Sequence, residues 1–426
     1  MFLSGDSTPG PDSVYNDERA VDAGSVPVEE NELVGIRDKA AIVGIGQTPY
    51  GKALGRSEPE MAVEAIWNAC SDAGISPSQI DGLVRYDMDT TQEEHLLTLL
   101  GNPELRWFAG TPYGGGGSAS ILVLAATAIA AGMAETIVVY RSRARGKKSV
   151  FGKDSKLGGR YWERLEAELP GLNQWHVPQG LVSAFQEMAM ITKRHQIDYG
   201  TNEDQFAEVA IAFRKHAMRN SKAVMREPMT VEDHHASRMI SDPLRLFDCN
   251  IETDGACAMI VTTPERARDL PQPAVLIHAG AMAAGSHHMH LSTLFSRSRD
   301  EDSAARVGRR LWEESGLTVS DIDAAFFYDF FTSLVIIALE DYGFCKRGEG
   351  GPFVESGGLA WPDGRLVTNT NGGQLSEAFI HGVNNNLEAV RQIRGTSSSQ
   401  VTDCQFALVA GANTDPTGAV ILRSDT

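Results

Sequence analysis

A run of four glycines, Gly114 to Gly117, lies directly before an apolar segment typical of a buried helix, Ile121 to Gly132. Backbone N–H groups at the start of a helix carry partial positive charge and can bind an oxygen on which negative charge develops. A covalent nucleophile must be a thiolate, a hydroxyl or an amine, and the glycines offer none. The turn therefore predicts oxyanion binding without covalent catalysis, in particular at Gly114, Gly115 and Gly116.

The densest histidine run is His287-His288-Met289-His290. As a metal site it lacks cysteines or carboxylates at the usual spacing. As a loop that lines a pocket it would supply an imidazole, for example that of His290, able to carry a proton at neutral pH. The sequence leaves both readings open.

His234 and His235 also have the residue types of a metal pair. Neighbours in sequence point to different faces of most elements, however, and no third ligand has a recognisable spacing. We therefore predict no metal site in this chain.

An internal repeat indicates which elements position these residues. Segment 74–87, which begins Gly-Ile-Ser-Pro-Ser-Gln-Ile-Asp and ends Tyr-Asp, returns with the same spacing as segment 316–329, which begins Gly-Leu-Thr-Val-Ser-Asp-Ile-Asp. Each copy follows a helical pattern, ends it at a glycine suited to a C-cap and leads into an apolar strand. A single long-range duplication predicts two similar α/β halves rather than a solenoid.

Composition and charge limit the possible functions. With 426 residues, of which 42% are hydrophobic, the chain can bury a large core and would ordinarily form two or more domains. No apolar run reaches the roughly 18 residues of a membrane-spanning helix. Five scattered cysteines without a Cys-x-x-Cys pair favour a reducing, cytoplasmic location. The net charge of −18 argues against nucleic-acid binding.

The sequence predicts a division into four parts. Residues 1–38 form an acidic tail that we expect to be disordered. An N-terminal domain covers residues 39–270 and contains a helical loop insertion at about 150–240, and a C-terminal domain covers 271–426. The basic cluster Arg141 to Lys148 follows an apolar strand, and it is either a solvated loop or a loop that contacts nucleotide phosphates.

A second glycine-rich block, Asn369 to Gly382, resembles the C-terminal active-site segment of a thiolase, with Phe379 where that family has a catalytic histidine. The Gly114 turn resembles the segment that carries the thiolase nucleophile, here without its cysteine. No cysteine stands in Leu408 to Asn413, where thiolases have another. The resemblance implies an α/β thiolase fold, with two similar halves in five αβαβα layers and a helical loop insertion.

The region from about residue 39 to the C-terminus is similar to the lipid-transfer-protein type of thiolase-like enzymes. The motifs that carry this similarity are Ala41 to Gly46, Tyr113 to Gly116, Asp254 to Ala256, Tyr328-Asp329, Tyr342 to Glu349 and Asn371 to Leu375. Members of that family cleave steroid side chains by a retro-aldol reaction of a β-hydroxyacyl-CoA. The resemblance implies coenzyme A as part of the substrate, no cofactor in this chain, a homodimer, and a small zinc-ribbon/OB-fold partner that holds zinc and gives a heterotetramer.

The resemblance also implies site residues. Retro-aldol cleavage needs a base for the β-hydroxyl proton, a binding site for the enolate and a proton source. Tyr328 matches the family tyrosine that transfers protons, and Phe379 occupies the position of a second one. Because phenylalanine cannot transfer protons, either His381 or one of His287, His288 and His290 substitutes, or the substrate differs, or the chain is a weakly active variant. Gly372 and Gly373 are expected to help the Gly114 turn bind the acyl-CoA.

Two other functions stay open at this point. An acyl-CoA thiolase or acyltransferase of the sterol carrier protein X type would require a cysteine elsewhere in the pocket. A non-catalytic acyl-CoA or lipid-binding subunit would bind its ligand and leave it unchanged.

Overall fold

The computed structural model describes residues 35–101, 104–112, 114–145, 179–181, 183–285 and 302–425. The strands in these residues are β1 (Ala41–Gln47), β2 (Gly82–Arg85), β3 (Trp107–Gly110), β4 (Thr136–Arg143), β5 (Met239–Ser241), β6 (Leu244–Arg245), β7 (Gly255–Thr262), β8 (Val275–Ala283), β9 (Ala324–Phe326), β10 (Val367–Thr368), β11 (Phe406–Ala410) and β12 (Thr417–Ser424). The helices are α1 (Glu58–Ala73), α2 (Glu93–Leu100), α3 (Gly117–Ala130), α4 (Ala184–Tyr199), α5 (Glu203–Arg219), α6 (Val231–Ala236), α7 (Pro264–Ala267), α8 (Ser303–Ser315), α9 (Thr332–Asp341), α10 (Gly350–Glu355), α11 (Gly373–Ser376) and α12 (Val383–Ile393).

Ten of these strands form one sheet, in the order β10-β9-β11-β12-β8-β1-β7-β4-β2-β3. Read outward from the junction of β1 and β8, one half has the order β1-β7-β4-β2-β3 and the other has the corresponding order β8-β12-β11-β9-β10. A short antiparallel pairing of β1 with β8 joins them, through Ala41 with Leu276 and Ile42 with Val275. The predicted two-half α/β architecture is therefore confirmed, with the half-sheets hydrogen-bonded edge to edge.

Helices and half-sheets alternate in five layers. Helix α1 packs on the outer face of the β1–β7–β4–β2 half, while α8 and α9 pack on the outer face of the other half. Helices α3 and α12 lie between the halves, and their apolar side chains share one core with residues of both, including Val139 of β4 and Val409 of β11. Because α3 is apolar on nearly all sides, it can occupy this central layer.

The two copies of the internal repeat adopt the same structure. Gly74 and Gly316 end their helices in the left-handed conformation, with φ of 70° and 69°. Asp81 accepts hydrogen bonds from the backbone N–H of Thr136 at 2.8 Å, and Asp323 accepts one from Phe406 at 2.9 Å. In each half this aspartate therefore ties the repeat to the start of the neighbouring parallel strand.

The structure corrects one expectation and places others. Arg141 and Arg143 do not lie in a solvated loop: β4 extends to Arg143, and both side chains are fully buried. Helices α4, α5 and α6 fall within the predicted insertion, while the division at residue 270 stays a prediction.

His234 donates to Asp248 at 2.7 Å, and the described residues contain no group of three His, Cys, Asp or Glu side chains that could hold a metal. None of the described helices is long and apolar enough to cross a membrane.

Candidate active site

Tyr328 lies two residues after the end of β9, where its ring packs between two glycine turns. A Cβ atom at Gly115 would stand 2.6 Å from Tyr328 Cζ, and one at Gly382 would stand 2.7 Å from Tyr328 Cδ2. No side chain larger than hydrogen fits at either position without displacing the ring. The fold thus brings together Tyr328, the Gly114 turn and the 369–382 block, which the sequence singled out separately.

The phenol of Tyr328 is protonated in this environment. Burial raises its pKa well above the usual value, and neighbouring Tyr86 raises it further, whereas Arg143 and Arg141 act in the opposite direction. A neutral phenol donates a hydrogen bond or a proton more readily than it abstracts one. The geometry therefore favours Tyr328 as a proton donor in the resting site.

The Gly114 turn leads into α3. Tyr86 Oη donates to the Gly114 carbonyl at 2.6 Å. The N–H groups of Gly117 and Ser118 are occupied by carbonyls of the turn itself, at 3.1 and 3.3 Å. Among the described residues no acceptor pairs with the N–H groups of Gly115 and Gly116.

Phe379 borders the same space. Its ring meets that of Tyr328 edge to face, with centroids 6.4 Å apart, and it lies 4.4 Å below the guanidinium carbon of Arg143. Its backbone N–H donates to Thr253 Oγ1 at 2.8 Å, which fixes the loop. The side chain can shape an apolar wall and a cation–π contact, but it cannot transfer a proton.

His381 packs on the other side of Phe379. Its ring stacks on Tyr86 with centroids 5.4 Å apart, and its Nδ1 lies 2.9 Å from Arg141 Nε. Burial, followed by the charges of Arg141, Arg143 and Arg145, lowers its pKa well below the usual value. The imidazole is therefore neutral at physiological pH.

Two arginines carry charge beside this site, and the sequence placed them in a basic loop but did not predict their burial here. Arg141 pairs with buried Asp89, with Nη1 and Oδ2 3.3 Å apart, and Arg143 pairs with Glu252. A signal was present, because residues of a strand that are two apart share a face and the apolar residues Ile137 and Val139 precede them on that face. The two guanidinium groups give the site a positive potential, which favours an oxyanion.

Gly372 and Gly373 serve close packing in this structure. Their φ angles are 100° and 59°, and a Cβ at Gly373 would collide with the carboxylate of Asp329. Asp329 accepts hydrogen bonds from the N–H groups of Gln374 and Leu375, at 3.0 and 3.1 Å. The carboxylate beside Tyr328 therefore holds the second glycine block against the end of β9.

Glu377 is a second buried carboxylate of this block. It accepts hydrogen bonds from the amides of Asn220, Asn371 and Asn384. Burial raises the pKa of Glu377 to about 7 and that of Asp329 to about 6, although their hydrogen bonds act against this. Both groups sit within the loop that carries Phe379 and His381, so their protonation bears on the stability of the site.

We expect the contribution of Glu377 to the free energy of unfolding to grow as the pH falls from about 8 to 6.5, above the range in which the lowered pKa values of buried His381 and His216 act in the opposite direction. Because the folded pKa of Glu377 exceeds its unfolded value, the folded state holds a proton that the unfolded state releases, and the stabilisation grows as pH drops through about 7. Urea unfolding at several pH values gives the free energy of unfolding as a function of pH. Glu377→Gln should reduce the slope of this dependence, whatever the absolute stability of the variant. An unchanged slope would contradict the raised pKa.

Several residues of the sequence-based hypotheses lie outside the described residues. These are His287, His288 and His290, together with Tyr113 and the basic residues beyond Arg145. Their proposed roles stay predictions.

This fold and site define a thiolase-like protein. Two α/β half-sheets are arranged in five layers, and two glycine turns meet at the centre. Residues 283–421 match the family model described as thiolase C-terminal domain-like. The chain is 42% identical over 389 residues to the steroid side-chain-cleaving aldolase of Thermomonospora curvata, covering 91% of this chain and 98% of that protein. It is 41% identical over 387 residues to the 17-hydroxy-3-oxo-4-pregnene-20-carboxyl-CoA lyase of Mycobacterium tuberculosis, covering 90% and 99%.

The solved structure of the Ltp2-ChsH2(DUF35) aldolase superposes with a TM-score of 0.83 at 41% identity, over 92% of this chain and 99% of that one. The chain belongs to the family of thiolase-like aldolases that these proteins represent.

Proposed function

We propose that this chain is a carbon–carbon lyase that cleaves a β-hydroxyacyl-CoA, with a steroid as the part that becomes the ketone. In this reaction the β-hydroxyl loses its proton, the Cα–Cβ bond breaks, and its electron pair forms the enolate of the thioester. The β-carbon becomes the ketone carbonyl, and protonation of the enolate at Cα gives the shorter acyl-CoA. The observation that carries the proposal is a tyrosine packed on a glycine turn that has no nucleophile, in a chain related over nearly its whole length to named aldolases.

Each requirement of the reaction has a candidate group. The N–H groups of Gly115 and Gly116 receive the thioester oxygen, and the charges of Arg141 and Arg143 favour the enolate. Tyr328, protonated in the resting site, acts as a proton relay: its oxygen accepts the β-hydroxyl proton as the Cα–Cβ bond breaks, and its own proton passes to Cα, so that the phenol is neutral again at the end. No acyl-enzyme forms, which agrees with glycine at position 114.

An apolar wall supports a steroid ligand. Tyr328 and Phe379 belong to one apolar cluster with Phe330, Met188 of α4 and Leu334 of α9. Aromatic and long aliphatic side chains of this kind bind flat hydrocarbon skeletons by burial of apolar area.

A thiolase or acyltransferase mechanism is less well supported. Cys249 belongs to the cluster around Tyr328, but burial and Asp248 raise its thiol pKa well above the usual value, and its Sγ donates to the Arg245 carbonyl. Burial likewise raises the pKa of Cys257 to about 12. Neither thiol has the lowered pKa that an acyl-accepting thiolate requires.

Incubation with a panel of β-hydroxyacyl-CoAs, with and without steroid rings, tests the function. Mass spectrometry should detect a ketone and a shorter acyl-CoA in equal amounts, with a steroid substrate preferred. Intact-protein mass spectrometry in the same samples should show no acyl adduct. A stable adduct would favour the acyltransferase, and binding without product would favour a non-catalytic subunit.

We further propose that the chain works as a homodimer with a small zinc-ribbon/OB-fold partner of the DUF35 type. The related solved complex pairs Ltp2 with ChsH2(DUF35). Helix α4 supports a partner beside the site, because Met188 and Ile191 on its inner side join the Tyr328 cluster while Met190 and Ile197 are 39% and 74% exposed. Exposed apolar side chains of this kind are typical of interaction surfaces.

The edge strand β3 supports the homodimer. Within the described residues its outer edge forms no strand pair, and Phe108 on it is 65% exposed. A two-fold axis would pair two copies of such an edge in antiparallel fashion and remove both free edges.

Coexpression with a DUF35-type protein should give a complex with two copies of each chain, zinc in the partner only, and activity well above that of this chain alone. Size, metal content and turnover of the same preparation measure the three claims. A fully active homodimer that gains nothing from the partner would contradict the partner proposal while leaving the lyase proposal intact.

A further inference from the structure

We infer that Arg141 holds His381 in one neutral tautomer, with the hydrogen on Nε2, and that this Nε2–H donates a hydrogen bond to an oxygen of the substrate. The inference rests on the proposed lyase function and assigns His381 a different task from the proton carrier that its residue type suggests. Arg141 is then a positioning residue that acts through His381.

The hydrogen-bond geometry fixes the tautomer. A guanidinium nitrogen only donates, so Arg141 Nε, 2.9 Å from Nδ1, requires Nδ1 to be the acceptor. In a neutral imidazole the other nitrogen then carries the hydrogen. Within the described residues no protein group accepts from Nε2, so its hydrogen is available to a ligand.

The surroundings hold both side chains in place. Arg141 is itself fixed by Asp89, which also accepts from the backbone N–H of Ser142 at 2.6 Å, and its guanidinium carbon lies 5.5 Å from the centre of the Tyr86 ring. The imidazole lies between Tyr86 and Phe379, with centroids 5.4 and 4.8 Å away. His381 also has a φ of 48°, a left-handed conformation that orients the ring from the loop end.

The charged groups around the ring keep it neutral. Burial lowers its pKa most, and Arg141, which contacts it, Arg143 on the same strand and Arg145 just beyond the strand lower it further. Asp89 accepts hydrogen bonds from Arg141 and Ser142, and Glu252 forms an ion pair with Arg143. The remaining ring contacts in the described part of the chain, Tyr86 and Phe379, bear no charge, so none of them would stabilise an imidazolium.

A neutral donor suits this site. The ring packs on Phe379 and Tyr86; the Phe379 ring contacts that of Tyr328, and the Tyr86 hydroxyl donates to the Gly114 carbonyl, so one shell of side chains separates His381 from the phenol and the turn. An imidazolium there would face three arginines, whereas a neutral N–H can stabilise negative charge on oxygen without that repulsion. Tyr328 would transfer the protons, and His381 would transfer none.

Two substitutions separate a donor from a proton carrier. In His381→Gln the amide nitrogen can occupy the place of Nε2 and still donate, while His381→Asn brings its amide only as far as Nδ1. Asparagine tolerates the left-handed backbone well, so a loss in the Asn variant is not explained by strain. We expect His381→Asn to lower kcat by about 10²-fold or more and His381→Gln to keep it within about 10-fold, with little change in KM. Equal loss in both, with both folded, would overturn the donor role.

Nitrogen NMR of the histidine rings tests the tautomer without any substrate. The His381 resonance, assigned by its loss in His381→Gln, should show an unprotonated Nδ1 and a protonated Nε2 from pH 6 to 8, and Arg141→Lys should change this pattern. A doubly protonated ring, or a hydrogen on Nδ1, would overturn the inference. If the wild-type protein shows the expected tautomer but cleaves no β-hydroxyacyl-CoA, the proposed function fails and the positioning of His381 by Arg141 stands.

Discussion

Replacement of Tyr328 by phenylalanine is expected to lower kcat for β-hydroxyacyl-CoA cleavage by about 10²–10⁴-fold, the usual effect of removing a general acid or base. Only one oxygen atom is lost from a ring that packs against Gly115, Gly382 and Phe330. Folding and acyl-CoA binding should therefore change little. Steady-state kinetics, acyl-CoA binding by calorimetry and thermal unfolding measure the three quantities.

Tyr342→Phe is the matched control. Tyr342 is equally buried, lies in the core between β9 and α8, and has a hydroxyl with no hydrogen-bond partner among the described residues. That variant should keep wild-type turnover. If Tyr328→Phe also stays within a few-fold of wild type, Tyr328 does not transfer a proton in the reaction.

Replacement of Gly115 by alanine is expected to reduce cleavage by about 10²-fold or more, because one methyl group disturbs two parts of the site. The new Cβ would stand 2.6 Å from Tyr328 Cζ and 2.8 Å from the Ala412 methyl carbon, so the phenol and the turn must move apart. The backbone of Gly115 is not left-handed, so the cost arises from space and not from an unfavourable φ. Kinetics together with thermal unfolding separate lost alignment from lost stability.

Gly110→Ala provides the comparison for this variant. Gly110 also has an ordinary φ, and a Cβ there would meet nothing closer than the Arg85 carbonyl oxygen at 3.9 Å. It should be fully active. Wild-type activity in Gly115→Ala would show that the turn adapts easily, and the oxyanion role of the Gly115 and Gly116 N–H groups would lose its geometric support.

The sequence by itself determined the local features and the general class of the site. Gly74 and Gly316 end equivalent helices because glycine adopts a left-handed φ at little cost, and this can be read from the chain. Glycine at position 114 excludes a nucleophile there without any knowledge of the fold. The similarity of the motif around Tyr328 to a known family supplied the reaction class, which the identity to named aldolases supports.

Only the tertiary structure decided what surrounds these residues. The apolar run of β4 stops at Tyr140, yet pairing with β7 carries the strand on to Arg143, so two arginines are buried in a strand where the sequence predicted a loop. Arg141 and His381 are 240 positions apart in sequence and meet because α12, which follows His381, packs against strands of the half that contains Arg141. Burial and positive charge come from many distant residues at once, and they set the protonation of His381, Tyr328 and Glu377; no local pattern in the chain encodes that sum.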